Sequence, residues 1–288
     1  MNRGLDLEKE KRDVKPTQWV FGAASLPCIA IIPPDLRQSF LPNGEVQKGT
    51  EDFMDCASRG PLNILEAKLT YLYQTGQMNA NNRWFLQKHG FIKDGKIELS
   101  DRYVAIKSGT TRNGNSLVAP MDAIHRDGCI PKSMLPADSS MDFDTYHNPA
   151  SITAAMTRIG QEFALRFSIN YEQVREEDFE VSLRYDFLNV AVHAWPDPKN
   201  GIYQRTDQPE NHVVCVFQGV YFAFDNYLDT DLDYVKQLAP NYNFYPTGYR
   251  LFITAQRTTA EVEAELRKRL SLLQRLFALL KSLYARTA

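Results

Sequence analysis

Cys56 is the residue of this sequence whose surroundings are best suited to nucleophilic chemistry. The segment after it has leucines at helical spacing, with Ser58 as a helix cap and Pro61 in the first turn. The pattern predicts a helix that begins near Ser58, immediately after Cys56. The positive end of a helix dipole lowers the pKa of a nearby thiol and favours the thiolate. The sequence therefore predicts a reactive thiolate at Cys56.

A nucleophilic thiol also needs a base, and His212 is the histidine best placed to serve as one. His89 and His125 precede glycines at predicted helix ends, where a structural role is expected. His212 begins a predicted strand, and the next strand along the chain ends in Asp225-Asn226. Because the two arms of a hairpin lie side by side, either side chain could contact and orient the imidazole. The pattern leaves both residues open for this third role.

The elements that would position these residues are helices in the first half of the chain and strands in the second. Helices are predicted at 80–88, 101–107, 117–126 and 148–167, and strands at 184–195, 212–228 (a hairpin) and 248–254. This order favours an α+β fold over alternating βαβ units. We divide the chain into a polar N-terminal arm (1–18), a main domain (19–256) and a C-terminal amphipathic helix (257–288).

Composition excludes several classes of protein. No stretch of the 288 residues approaches the roughly 18 uncharged apolar residues of a membrane span. The balance of 33 basic and 35 acidic residues argues against a nucleic-acid-binding protein. Four cysteines are too few for a disulfide framework, which favours a reducing compartment. Since no clustered His/Cys spacing suggests a metal site, we expect neither a metal nor a cofactor.

The C-terminal segment carries an apolar stripe in steps of four and three residues. Its members are Leu266, Leu270, Leu273, Phe277, Leu280 and Tyr284, and the segment has six basic and three acidic residues. Such a stripe could dock on the chain's own core, associate with a second copy or adhere to a membrane surface. The sequence leaves these three alternatives open.

Several motifs, in order along the chain, resemble those of the papain-like cysteine peptidases. They cover about residues 45–228. The similar segments are DCASRGPLNILE (55–66), ELSDRYVAIKSG (98–109), GNSL (114–117), MDAIHRDGCIPKSMLP (121–136), LNVAVHAW (188–195), GIY (201–203) and NHVVCVFQGVYFAFDNY (211–227). His212 and Asn226 follow Cys56 by 156 and 170 residues, close to the separations in papain-type enzymes.

The resemblance implies a two-lobed papain-like fold, with the cysteine helix in a helical lobe and the histidine and asparagine in an antiparallel β lobe. It implies that Cys56 is the nucleophile, His212 the general base and acid, and Asn226 the residue that orients the imidazole. Asp225 is the alternative for this third role, since a carboxylate serves there in relatives of the fold.

The chain departs from the family pattern near the oxyanion hole. The family glutamine lies six residues before the cysteine, where this chain has Thr50, so Gln47 is the tentative replacement if the loop is three residues longer. The family's disulfide cysteines are replaced by Phe53, Lys107 and Asn115. Such reduced forms resemble bacterial and phage-encoded members, which implies a cytoplasmic protein, or a virion-associated one if it is phage-encoded.

The implied activity is hydrolysis of peptide bonds through a Cys thiolate–His imidazolium pair and an acyl-enzyme, with a protein or peptide as substrate. Two alternatives remain open. One is a papain-fold binding or virion-assembly module with weak or no catalysis. The other is an amidase, acyltransferase or transglutaminase that uses the same Cys–His–Asp logic. We expect no nucleic-acid partner and no membrane span, and self-association through the C-terminal helix is one of the open alternatives.

Overall fold

The computed structural model describes residues 4–13, 28–44, 47–219, 221–226 and 234–287. Parts of the predicted segments lie outside these ranges, namely residues 1–3 and 14–18 of the N-terminal arm, residues 19–27 at the start of the main domain, and residues 220 and 227–228 of the hairpin. In the C-terminal helix, the side chains at 273, 277–279 and 281–287 are also outside the description, and with them Leu273, Phe277 and Tyr284 of the predicted stripe.

The first part of the chain is helical, as the sequence predicts. Its elements are α1 (Leu7–Asp13), α2 (Arg37–Phe40), α3 (Cys56–Gln74), α4 (Ala80–His89), a short hairpin β1 (Ile92–Lys93) and β2 (Lys96–Ile97), α5 (Asp101–Ser108), α6 (Val118–Asp127), α7 (Phe143–Tyr146) and α8 (Ala154–Arg166). The predicted helix from 148 was wrong at its start, because Thr153 caps α8 by accepting the Met156 N–H.

The second part forms a seven-stranded sheet that supports the candidate site. Its elements are β3 (Phe167–Arg175), α9 (Phe179–Tyr185), β4 (Leu188–Val192), β5 (Ile202–Tyr203), β6 (His212–Gln218), β7 (Phe222–Phe224), β8 (Val235–Leu238) and β9 (Thr247–Gln256). The strand order is β3-β9-β4-β6-β7-β8-β5. Neighbours are antiparallel except β5 and β8. Helices followed by an antiparallel sheet confirm the predicted α+β class.

Helix α3 packs directly on this sheet and fixes the position of its own first residue. A Cβ on Gly60 would lie 2.2 Å from the Asn189 Oδ1 of β4, so glycine is needed for this close approach. Farther along α3, the Lys68 ammonium forms a fully buried ion pair with Asp186 at 2.6 Å. The face of β6 that carries Cys215 belongs to the same hydrophobic core as α3. These contacts hold the start of α3 against the start of β6.

The last helix, α10 (Thr259–Thr287), is anchored only near its beginning in the part whose side chains are described. Val262 is buried at 2% exposure, whereas the leucines that follow it are 45–58% exposed. They are Leu266, Leu270, Leu272, Leu276 and Leu280. Leu266, Leu270 and Leu280 are the members of the predicted stripe whose side chains are described, and their exposure contradicts docking of these three on the chain's own core. Association with another surface stays a prediction.

We expect the full chain to self-associate through α10, because exposed leucines in contiguous turns lose contact with water when they pair. Sedimentation equilibrium of the full chain should give a mass above 32.9 kDa. Leu270→Glu should return the particle to the monomer mass. Ser271→Glu, which introduces the same charge on the opposite face of the helix, should leave the assembly in place. A monomeric full chain would contradict this prediction.

Candidate active site

Cys56 is the first residue of α3, and the N-cap is Asp55, three residues before the predicted cap Ser58. Asp55 does not cap with its side chain; it pairs with Arg59 one turn later, Oδ1 to Nε at 2.9 Å. The Cys56 sulfur accepts a hydrogen bond from the backbone N–H of Val213, the second residue of β6. The predicted nucleophile therefore touches the strand that begins with His212.

The predicted lowering of the Cys56 pKa is wrong for this closed structure. Cys56 is 1% exposed, and burial raises the pKa of its thiol well above the ordinary value. The carboxylates of Asp52, Asp55 and Asp225 raise the pKa further, while the Val213 N–H lowers it. Desolvation of the thiolate is the largest of these contributions, so burial in this structure favours the thiol over the thiolate.

The imidazole of His212 is held by Asp225. The His212 Nε2 lies 2.6 Å from the Asp225 Oδ1, and both side chains are fully buried. The other carboxylate oxygen, Oδ2, accepts a hydrogen bond of 2.6 Å from the Trp195 indole N–H. Two contacts therefore fix the carboxylate, and the carboxylate fixes the ring. This leaves Nδ1 as the ring nitrogen directed away from Asp225.

Asn226 has a different contact. Its Oδ1 accepts a hydrogen bond of 2.8 Å from the Asn63 Nδ2 on α3. The reason lies in the pleat of the sheet, where Cys215 of β6 pairs with Phe224 of β7. Continuing that register puts Asp225 on the face of β6 that carries His212, and Asn226 on the face that packs on α3. The side chain that meets the imidazole is thus that of Asp225.

Gln47 lies beside these residues, and Thr50 does not. The Gln47 N–H donates to the Asn226 carbonyl at 3.1 Å, and the Gln47 side chain is fully buried. Its amide Nε2 donates to the Asp52 Oδ1 at 3.0 Å. The Thr50 hydroxyl instead donates to the Met141 carbonyl on the surface. The structure therefore brings the tentative oxyanion residue to the site, with its amide bound to a carboxylate.

Three contributors to the site were not singled out by sequence reasoning, namely Trp195, Asn63 and Asp52. Asp52 is close enough to His212 that a charged imidazole lowers the Asp52 pKa, although burial raises it overall. Trp195 follows β4 and Asn63 lies two turns into α3. Trp195 and His193 lie two residues apart in the predicted strand, so they share one face of it. This spacing gives the face on which Trp195 lies but does not predict its hydrogen bond to Asp225.

The first described residues of the chain cover the nucleophile. We call residues 4–13 the N-terminal strap. Gly4 has φ of +106°, and a Cβ on it would lie 2.7 Å from the Met54 backbone and 3.0 Å from the Cys56 sulfur. Glycine is therefore required at the point where the strap crosses Cys56. The predicted polar arm is, over these residues, packed onto the site.

The strap pairs with the loop before α6 like an added strand. The Asn115 N–H donates to the Gly4 carbonyl and the Asp6 N–H donates to the Asn115 carbonyl, both at 2.9 Å. Leu5, between them, forms a parallel bridge with Asn115 and is 3% exposed. Asp6 then caps α1 by accepting the Lys9 N–H. Backbone pairing and an apolar anchor thus hold the strap over Cys56.

Among the described residues, no group of three or more His, Cys, Asp or Glu side chains is arranged to hold a metal ion. In the same ranges, every helix is too short or too polar to cross a bilayer.

The fold is similar to that of solved cysteine proteases. Xylellain, a cysteine protease from Xylella fastidiosa, matches with a TM-score of 0.53 and 13% identity over 89% of this chain and 96% of its own. The ragweed pollen allergen Amb a 11, a cysteine protease solved in its proform, matches with a TM-score of 0.53 and 12% identity over 89% of this chain and 76% of its own. A structure from work on the mite allergens Blo t 1 and Der p 1 matches with a TM-score of 0.51 and 14% identity over 87% of this chain and 78% of its own.

The sequence itself matches no protein-family model and no curated protein. At 12–14% identity the structural likenesses establish the fold alone, and they confirm the papain-like fold that the motifs predicted.

Proposed function

We propose that this chain, which has the papain-like fold, is a cysteine peptidase. The observation that carries the proposal is the buried arrangement at the start of β6. The His212 ring is held by Asp225 at 2.6 Å, and the adjacent Val213 N–H contacts the Cys56 sulfur. A thiol, an imidazole and a group that orients the imidazole are the three parts of this chemistry.

In the proposed reaction, the Nδ1 of His212 takes the proton of the Cys56 thiol, and the sulfur attacks the peptide carbonyl. A carbon–sulfur bond forms and the carbonyl oxygen becomes an oxyanion. The Cys56 N–H, in the first turn of α3, and the Gln47 amide are our candidates to stabilise it. His212 then protonates the leaving amine as the carbon–nitrogen bond breaks. A water molecule, deprotonated by His212, hydrolyses the thioester and restores the thiol.

We infer that the structure represents a latent form. A substrate carbonyl has to reach the Cys56 sulfur, yet Gly4 lies there and Cys56 is 1% exposed. The strap holds this position through backbone pairing with Asn115. Displacement of the strap is therefore the step that would admit a substrate and rehydrate the thiol.

The test uses a full chain that can be opened after folding. A recognition sequence for a specific protease is inserted between Asp13 and Val14, and the folded chain is cut there. We expect the cut chain, but not the uncut one, to cleave unstructured polypeptides, and to react covalently with an epoxysuccinyl probe at Cys56. Cys56→Ser, cut in the same way, should do neither. A cut wild-type chain that is inert to both reagents would contradict the proposal.

Closure of the site favours a second candidate, a papain-fold binding module whose cleft is permanently filled by its own strap. The fully buried Gln47 amide, bound to Asp52, fits that hypothesis because an oxyanion donor would have to turn away from a carboxylate. A module of this kind would keep Cys56 unreactive after the cut.

The pairing of His212 with Asp225 keeps the Cys–His–Asp amidase and acyltransferase alternatives open. An enzyme of that kind would react with the epoxysuccinyl probe after the cut but leave unstructured polypeptides intact. Assays with cell-wall muropeptides and with added amine acceptors separate these activities from a peptidase. A reducing compartment stays our proposal, on the grounds of the cysteine pattern alone.

A further inference from the structure

A buried carboxylate holds the strap at its helical end. Glu10 is fully buried. Its Oε2 accepts the Leu117 N–H at 2.6 Å, and its Oε1 accepts the Tyr249 hydroxyl at 2.9 Å. The Val118 N–H also donates to this carboxylate. One side chain of the strap therefore receives three hydrogen bonds inside the protein.

The donors of this pocket are suited to a carboxylate. Leu117 and Val118 are the N-cap and first residue of α6, where helix amides lack intrahelical acceptors and the helix dipole attracts negative charge. The Tyr249 side chain on β9 is fully buried and donates its hydroxyl to the other carboxylate oxygen. Burial raises the pKa of Glu10, while its three hydrogen bonds lower it, so the pocket offsets part of the cost of desolvating the charge.

The same segment that fills this pocket also covers the nucleophile. Gly4 lies against Cys56, Leu5 pairs with Asn115, and Glu10 enters the pocket six residues after Gly4. The pocket and the sulfur are thus two points along one path occupied by a polypeptide. The strap behaves here as a bound peptide whose acidic side chain is recognised by the protein.

We propose that the pocket formed by Leu117, Val118 and Tyr249 is a carboxylate-binding subsite of the cleft. It accepts an acidic side chain of whatever polypeptide occupies the cleft, first Glu10 of the strap and then Asp or Glu of a substrate. The substrate part rests on the proposed peptidase function; the binding part does not.

Binding is measured on the cut chain in a Cys56→Ser background, which prevents turnover. Fluorescein-labelled peptides with the sequence of residues 4–13 replace the cut strap, and anisotropy gives their affinities. Glu10→Gln in the peptide should weaken binding at least about tenfold, because a charged acceptor of buried hydrogen bonds becomes neutral. Glu8→Gln is the matched control, since Glu8 is exposed and pairs with Lys11 of the same helix; it should change affinity less than about twofold.

Tyr249→Phe in the protein removes one donor and keeps the ring. It should reduce the difference in affinity between the unaltered peptide and the peptide with Glu10→Gln, and leave the affinity of the altered peptide nearly unchanged. Equal affinities of the two peptides for the protein with Tyr249 would overturn the subsite.

Cleavage of a mixed peptide library by the cut wild-type chain tests the substrate part. We expect Asp and Glu to be enriched at one fixed position relative to the cleaved bond, and Tyr249→Phe to weaken that enrichment. Cleavage without acidic enrichment would overturn the substrate part of the proposal and leave the peptidase intact. Carboxylate-selective binding without any cleavage would instead support the subsite and contradict the peptidase.

Discussion

Displacement of the strap raises the alkylation rate of Cys56 by about a hundredfold or more at pH 7. Only the thiolate reacts, and burial raises the Cys56 pKa well above its ordinary value while the strap is in place. Each unit by which the pKa returns toward normal increases the thiolate fraction about tenfold at neutral pH. In the opened site, contact with the His212 ring would lower the pKa of the Cys56 thiol further. Removal of Gly4 from the sulfur also opens a path for the reagent.

The measurement is the rate of iodoacetamide labelling of the cut and uncut chains, resolved by peptide mass mapping. Cys129 is the internal control, because it is equally buried, burial raises its pKa too, and Gly4 of the strap contacts Cys56 and not Cys129. Its rate should stay low in both chains. In the uncut chain, Cys56 labelling should become appreciable only in strongly alkaline solution. Equal rates at Cys56 before and after the cut would show that the strap does not control the thiol.

Asp225→Ala lowers kcat/KM of the opened enzyme on the order of a thousandfold, whereas Asn226→Ala costs less than about tenfold. The first change removes the group that holds the His212 Nε2, so the ring loses its orientation and its tautomer is no longer fixed. The second removes a hydrogen bond to Asn63 on α3 and leaves the contact between Asp225 and the ring in place.

The kinetic comparison uses the cut chain and one fluorogenic peptide, with alkylation of Cys56 as a second readout. Asp225→Ala should also slow alkylation at pH 6, because an unoriented imidazole no longer stabilises the thiolate. Circular dichroism of both variants checks that each is folded. The opposite ranking, with Asn226→Ala the more damaging change, would assign the third role to Asn226.

The sequence was sufficient to predict that Cys56 begins a helix and His212 begins a strand, and the Val213 N–H beside His212 contacts the Cys56 sulfur. The sequence could not decide between Asp225 and Asn226. Adjacent residues of a strand point to opposite faces, and the face depends on a register that pairs Cys215 with Phe224. That register is a property of the folded hairpin.

Two other features also depended on tertiary contacts. β3 was missed although the start of its segment, FSINYE, alternates apolar and polar residues as strands do; its pairing with β9 completes the strand. The strap was interpreted as a polar arm because seven of its ten residues are charged. Nothing in that composition indicates that Glu10 is fully buried or that Gly4 crosses Cys56.

The strap belongs to the same chain as the cleft it fills, and this has a kinetic consequence. While it is tethered, its effective concentration at the cleft is on the order of millimolar and does not change when the protein is diluted. One cut of the backbone replaces that value with the concentration of the protein itself. The contacts between the bound strap and the cleft are the same before and after the cut. The cut strap nevertheless dissociates when the protein is diluted, whereas the tethered strap does not. Activation by a cut would thus be a one-way step that is more complete the lower the concentration of the protein.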